Sequence, residues 1–154
     1  MKAVVCGTGS SVPACVWNND DLSRMVDTND EWIRERTGII TRHIAKEETC
    51  VSMASEAARR ALAQAGIPAE EVDLLIVSTI SSNIVLPCTA CEVQKEIGAV
   101  NAVAYDLSAA CTGFVMAYQS AQSFLQAGIY RTALLIGSEC LSNLVNWKDR
   151  GTCI

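Results

Sequence analysis

Apolar residues along this chain follow two rhythms. Short uninterrupted runs, such as residues 72–79 and 132–137, show no alternation with polar residues, which marks strands buried on both faces. Longer segments between them have the helical period. In 50–65, Val51, Ala54, Ala58, Ala61, Leu62 and Ala65 share one face, while Glu56, Arg59, Arg60 and Gln64 point elsewhere. Gly66 and Ile67 close that helix and Pro68 follows, the order of a left-handed C-cap with its apolar contact. The same rules predict strands over 2–7, 39–45 and 102–108. They predict a short helix over 18–26 behind an Asn or Asp cap, and helices over 89–97 and 111–127 closed by Gly98 and Gly128. Residues 31–38 form a charged segment around Trp32, and 151–154 read as the start of a further strand, on which the sequence stops.

Buried strands alternating with helices predict a parallel sheet covered on both faces. With 154 residues, half of them hydrophobic, one domain with a real core is expected. Charge narrows the function. The net value is −5 with no basic run, which argues against a nucleic-acid partner. No stretch approaches the ~20 apolar residues of a membrane helix, and the first residues lack the apolar region of a signal peptide. A soluble cytoplasmic protein is expected.

Eight cysteines lie within these apolar strands and helices, so most are expected to be small buried hydrophobes. Cys88 and Cys91 form a lone C-x-x-C. Structural zinc takes four ligands, and the chain offers no second pair and only one histidine, His43. Gly7 and Gly9 follow the first apolar run, but Val12 occupies the third glycine position of a dinucleotide fingerprint and Pro13 follows, so a turn is the better reading. His43 has no nucleophile near it in sequence, and a lone histidine is more often structural than catalytic.

The stretch DLSAACTGF, 106–114, is different. Cys111 falls where a strand gives way to a helix. Free N–H groups and the positive end of the helix dipole at such a junction favour thiolate over thiol and would hold a developing oxyanion. Ala109, Ala110, Thr112 and Gly113 leave room for substrate, as in a nucleophile elbow. On local chemistry alone, a nucleophile and a buried cysteine at a tight crossover remain equal alternatives.

A wider pattern separates them. GTGSSVP (7–13), TNDEWIRERTGIITRHIA (28–45), DLSAACTGF (106–114), ALLIGSE (133–139) and DRGT (149–152), in this order, resemble the N-terminal half of the β-ketoacyl-acyl-carrier-protein synthase III family of the thiolase superfamily. The resemblance implies an α/β, thiolase-like fold made of two similar halves. Each half is built on a five-stranded, mostly parallel mixed sheet with helices on both faces. Residues 1–154 would be the N-terminal half, ending before its fifth strand is complete. The activity implied is the initiating condensation of fatty-acid synthesis. An acyl-CoA, commonly acetyl-CoA, acylates a cysteine. Malonyl-acyl-carrier protein then loses CO2 and attacks the thioester, giving β-ketoacyl-acyl-carrier protein and CoA. No cofactor or metal is implied, since acyl-CoA is a substrate, and the intact protein would be a homodimer.

Residue by residue, the resemblance makes Cys111 the nucleophile and its backbone N–H one arm of the oxyanion hole. Trp32, Arg36 and Arg150 match positions that hold the CoA adenine, with Thr28 close by. An indole face and guanidinium planes suit that ring and its phosphates. On the residues alone, Trp32 and Arg36 would read as an exposed helix face. Leu86 matches a residue that enters the partner subunit's acyl pocket, where the family more often has an aromatic. The family's catalytic histidine and asparagine belong to the second half and have no counterpart here, and His43 lies in a different motif. The fragment alone is therefore expected to fall short of condensation. Two alternatives accompany this reading: a thiolase-fold acyltransferase of secondary metabolism, and a non-catalytic remnant exposing a large apolar face.

Overall fold

The computed structural model describes residues 3–154. The chain divides into two compact units. The first comprises the residues up to Ser11 with Thr49–Glu139, the second Val12–Glu48 with Cys140–Ile154.

The first unit is built on a parallel sheet of β3 (Leu74–Ser78), β4 (Val103–Leu107) and β5 (Ala133–Gly137), with β3 in the centre. Leu74 lies level with Val103 and Ala133, and Ser78 with Leu107 and Gly137. Every residue of β3 is buried, as its unbroken apolar run predicts. Its alternate side chains serve opposite layers. Leu75 and Val77 pack with Ala54 and Ala58 of α3 (Cys50–Ala65) and with Ala90 and Val93 of α4 (Thr89–Ile97). Leu74 and Ile76 pack with Ala117 and Ala121 of α5 (Gly113–Gln126). Full burial of each such Leu, Ile or Val is worth at most about 1.5–3 kcal/mol, so this strand dominates the unit's core. Gly66, Gly98 and Gly128 end the three helices at φ 66°, 78° and 73°, the left-handed closure read from the sequence.

The second unit carries an antiparallel pair, β1 (Cys15–Asn18) and β2 (Thr41–Ile44). It also holds α1 (Asn19–Ser23), α2 (Asp30–Thr37) and a short α6 (Arg150–Cys153). Asn18 and Asp21 close a capping box on α1. β1 was not anticipated.

Two predicted strands are absent. Residues 3–13 are not a strand, although the expectation covered 2–7, and Lys2 lies outside the described residues. Val4 and Val5 are 76% and 70% exposed. A strand persists only with a ladder partner, and residues 7–10 instead lie along α3. Thr8 donates its N–H to Gln64 Oε1 at 2.5 Å, and Arg60 donates to the Ser10 carbonyl at 2.6 Å. A Cβ on Gly7 would stand 2.3 Å from the Ala61 carbonyl oxygen, and one on Gly9 2.1 Å from that of Ala57. The glycines allow close approach to a helix. Residues 151–154 are likewise not a strand, because Asp149 accepts the Gly151 N–H at 2.8 Å and caps α6.

Candidate active site

Each part of DLSAACTGF has a separate task, and all of them belong to the first unit. Asp106, near the end of β4, accepts the Thr89 and Ala90 N–H groups at 2.9 and 2.7 Å. It thereby caps α4, whose own N-cap Cys88 makes no side-chain cap bond. After β4 the chain makes a 3₁₀ turn over Ala110–Thr112 before α5 begins, so Cys111 lies on that turn and not inside the predicted helix. Thr112 ties the turn down, its N–H and Oγ1 donating to the Ala109 carbonyl at 3.2 and 2.9 Å. Ala110 has φ 45° and is the sole non-glycine residue with positive φ among the described residues. A left-handed alanine costs about 1–2 kcal/mol, and such strain concentrates at functional turns. Gly113 starts α5 against β3, where a Cβ would lie 2.0 Å from Ser78 Oγ. A tight approach on one side and a strained corner on the other leave the Cys111 thiol exposed. This is a nucleophile elbow in geometry. The small residues serve the turn and the close packing.

The end of the sheet beside this turn is braced by polar groups, the exposed Glu139 and the buried Ser81 and Ser138. Glu139 accepts the Ile80 N–H at 3.0 Å and the Ser81 hydroxyl, and Ser138 donates to the Cys50 carbonyl at 2.8 Å. These bonds join the ends of β3 and β5 to the start of α3. Leu86 lies on the loop between β3 and α4 and is 85% exposed.

The second unit assembles a separate group. Asn29 accepts the Trp32 N–H at 2.8 Å and starts α2. Buried Asn19 donates to Asp30 Oδ1 and to the Ile39 carbonyl, both at 2.8 Å, and holds both ends of that helix. Hydrogen bonds from Arg34, then from Asn19, keep the Asp30 carboxyl below its ordinary range. On this support the Trp32 indole faces two guanidinium groups, with Arg36 Cζ 4.3 Å and Arg150 Cζ 4.8 Å from the ring centroid. Both lie within cation–π range. Arg150 is steadied by donating to the Asp27 carbonyl at 3.0 Å. Thr28 sits between these parts, its Oγ1 buried without a hydrogen-bond partner among the described residues. Trp32, Arg36 and Arg150 thus converge, although more than a hundred positions separate Arg150 from the other two. His43 is exposed on β2 and its Nδ1 is 2.6 Å from the Pro13 carbonyl, a structural bond. Asp106 and Asn19 were not singled out beforehand, and Gly113 was read as making room for substrate, not as packing against β3. Their partners lie far away in sequence, and no local pattern marks them.

A parallel sheet with helices on both faces, and a cysteine on a strained turn at the end of a strand, is the arrangement of the thiolase-like fold. Comparison with known proteins is more specific. Residues 105–154 match the family model of 3-oxoacyl-[acyl-carrier-protein (ACP)] synthase III. A β-ketoacyl-[acyl-carrier-protein] synthase III of Clostridium botulinum is 52% identical over 150 residues, covering 97% of this chain and 46% of the relative. The crystal structure of 3-oxoacyl-[acyl-carrier-protein] synthase III from Aquifex aeolicus superposes with a TM-score of 0.94 at 48% identity, over 96% of this chain and 48% of that one. The priming β-ketosynthase of a polyketide biosynthetic pathway gives 0.92 at 37%, over 95% and 44%. Over its length the chain matches the N-terminal half of synthase III enzymes, and it spans about half the length of the curated relatives it matches. Among the described residues no helix is long and apolar enough to cross a membrane.

Proposed function

We propose that this chain carries the acylation centre of an enzyme that starts fatty-acid chains. The observation that carries the proposal is the exposed Cys111 thiol on the strained turn between β4 and α5. Its thiolate attacks the thioester carbonyl of an acyl-CoA, with acetyl-CoA the expected primer. The carbon–sulfur bond to Cys111 forms as the bond to CoA breaks, and CoA leaves as a thiolate that takes up a proton. The backbone N–H of Cys111 supplies one arm of the hole for the oxyanion formed on the way. Trp32, Arg36 and Arg150 hold the adenine and phosphates of CoA, with Thr28 beside them, and Leu86 shapes the acyl pocket of a partner subunit. Malonyl-acyl-carrier protein would then lose CO2, and its carbanion would take the acyl group from Cys111. That second step needs the histidine and asparagine found in the family's other half, and His43, bonded to Pro13, does not substitute for the first. Residues 1–154 therefore correspond to the family's N-terminal half-domain, in a protein that acts as a cytoplasmic homodimer.

The relative that primes a polyketide pathway supports a second reading, the same acyl transfer serving secondary metabolism. Incubation with acetyl-CoA tests the shared core. A gain of one acetyl group, lost in Cys111→Ser and kept in Cys88→Ser, is the expected mass spectrum. Normal labelling of Cys111→Ser would overturn the assignment. Trp32→Ala should weaken CoA binding by about five- to tenfold, the worth of one cation–π or stacking contact. Unchanged affinity in calorimetry would remove Trp32 from the site.

A further inference from the structure

Cys88 and Cys91 play no part in the acylation chemistry. They lie at the N-cap and at the third residue of the nine-residue helix α4. A cap side chain and the third residue of a helix meet because the cap normally reaches that residue's N–H. Here the cap is a thiol that makes no such bond, and its Sγ lies 3.3 Å from Cys91 Sγ. Capping has passed to the Asp106 carboxylate, so the dithiol is relieved of that task. Both thiols are half-buried and so retain access to solvent. Among the described residues no third His, Cys, Asp or Glu joins them in a group able to hold a metal ion.

We propose that Cys88 and Cys91 form a reversible redox pair, which closes to an intramolecular disulfide by exchange with a small disulfide of the glutathione class. Closure also pins the loop that carries Leu86 onto α4. In the first step the Cys88 thiolate attacks one sulfur of the small disulfide. A mixed disulfide forms and the other half leaves as a thiolate. Cys91 then gives up its proton to solvent and attacks Cys88 Sγ, expelling the second small thiolate. Two protein thiols are oxidised by two electrons and one small disulfide is reduced to two thiols. The sulfurs need only close from 3.3 Å to the ~2 Å of a disulfide, within one helical turn. The order of attack follows from surroundings. The hydrogen bond shared with Cys88, then burial and the nearby charges of Cys88 and Asp106, push the Cys91 thiol up from its ordinary value. Cys88, at the end of the exposed loop, is the better placed to meet the small disulfide first.

The loop contributes the second half of the argument. Thr89 Oγ1 donates to Ser82 Oγ at 2.7 Å, and Ser82 Oγ donates to the Ile84 carbonyl at 2.9 Å. The loop's base is thus already tied to the first turn of α4, whereas Val85 and Leu86 are 86% and 85% exposed. A covalent link from Cys88 into the helix removes the rotamer freedom of the residue on which the loop ends.

The test is titration of the purified protein with oxidised glutathione, followed by intact mass and peptide mapping. The expected product has lost about 2 Da, two hydrogens, with 88 and 91 linked in one peptide, and dithiothreitol reverses it. Cys91→Ser should stop at a stable glutathione adduct on residue 88, and Cys140→Ser should behave as the parent. Adducts on other cysteines without any 88–91 link would overturn the redox pair. Hydrogen exchange of the amides at 83–88 reads the coupling. It should slow several-fold on oxidation, and equal rates in the linked and reduced forms would overturn the pinning of the loop.

Discussion

Gly113 and Ala110 show how much of the candidate site depends on single backbone positions. At Gly113 an added methyl would collide with Ser78 Oγ, which is buried in the end of β3. Overpacking of this kind costs about 1–3 kcal/mol, so Gly113→Ala should lower the denaturation midpoint and impair acylation of Cys111 with it. Ala110 presents the opposite case. Its φ of 45° suits glycine better than alanine, but glycine loses about 0.5–1 kcal/mol more backbone entropy on folding. The two effects nearly offset each other, and Ala110→Gly should change stability by less than about 1 kcal/mol in chemical denaturation. Cys111 was singled out from the sequence by its place at a strand–helix junction among small residues and by the family resemblance. The reasons for their smallness were not, since Ser78 lies far upstream in the chain.

At the scale of elements, the β1–β2 pair is held at one end by a single carboxylate. Glu48 accepts N–H groups of Lys46 at 3.0 Å, Ala14 at 3.1 Å and Glu47 at 3.3 Å. These residues lie just before β1 and just after β2. Backbone bonds, that of Lys46 first, then its own N–H and that of Ala14, hold the Glu48 carboxyl down to about 2 from an ordinary 4.5. The folded state therefore binds fewer protons than the unfolded chain between these values. Glu48's contribution is fully present above about 4.5 and is lost as the pH falls towards about 2. A carbon-detected NMR titration should place its midpoint near the lower value. Glu48→Gln should flatten the acid dependence of unfolding across that window. None of this was visible in sequence, where β1 is only four residues of alternating burial and its partner lies beyond two helices. The helices were read more fully, because capping is local. Gly66, Gly98 and Gly128 each ended a helix as expected.

Across the whole molecule, apolar surface is unevenly covered. α5 turns Ala117 and Ala121 inward to Leu74 and Ile76, and its outer side leaves Phe114, Val115, Met116 and Tyr118 exposed. Contiguous apolar surface of this kind drives association. The chain as it stands should self-associate with rising concentration in light scattering, and Val115→Lys, at a position 66% exposed, should shift the distribution towards monomer. A strictly monomeric protein at all concentrations would show that this face is adequately solvated.

The sequence by itself determined what depends on neighbours along the chain. Most helices and their glycine closures, the doubly buried strand β3, the junction at Cys111 and the resemblance to the synthase III family were legible there. Tertiary structure alone decided what depends on a distant partner. It denied residues 3–13 a ladder and laid 7–10 on α3. It gave β1 its partner, turned 150–153 into a helical turn, and brought Arg150 to Trp32. Hydrogen-bond ladders and cation–π contacts form between groups that only the fold makes adjacent, and periodicity carries no record of them.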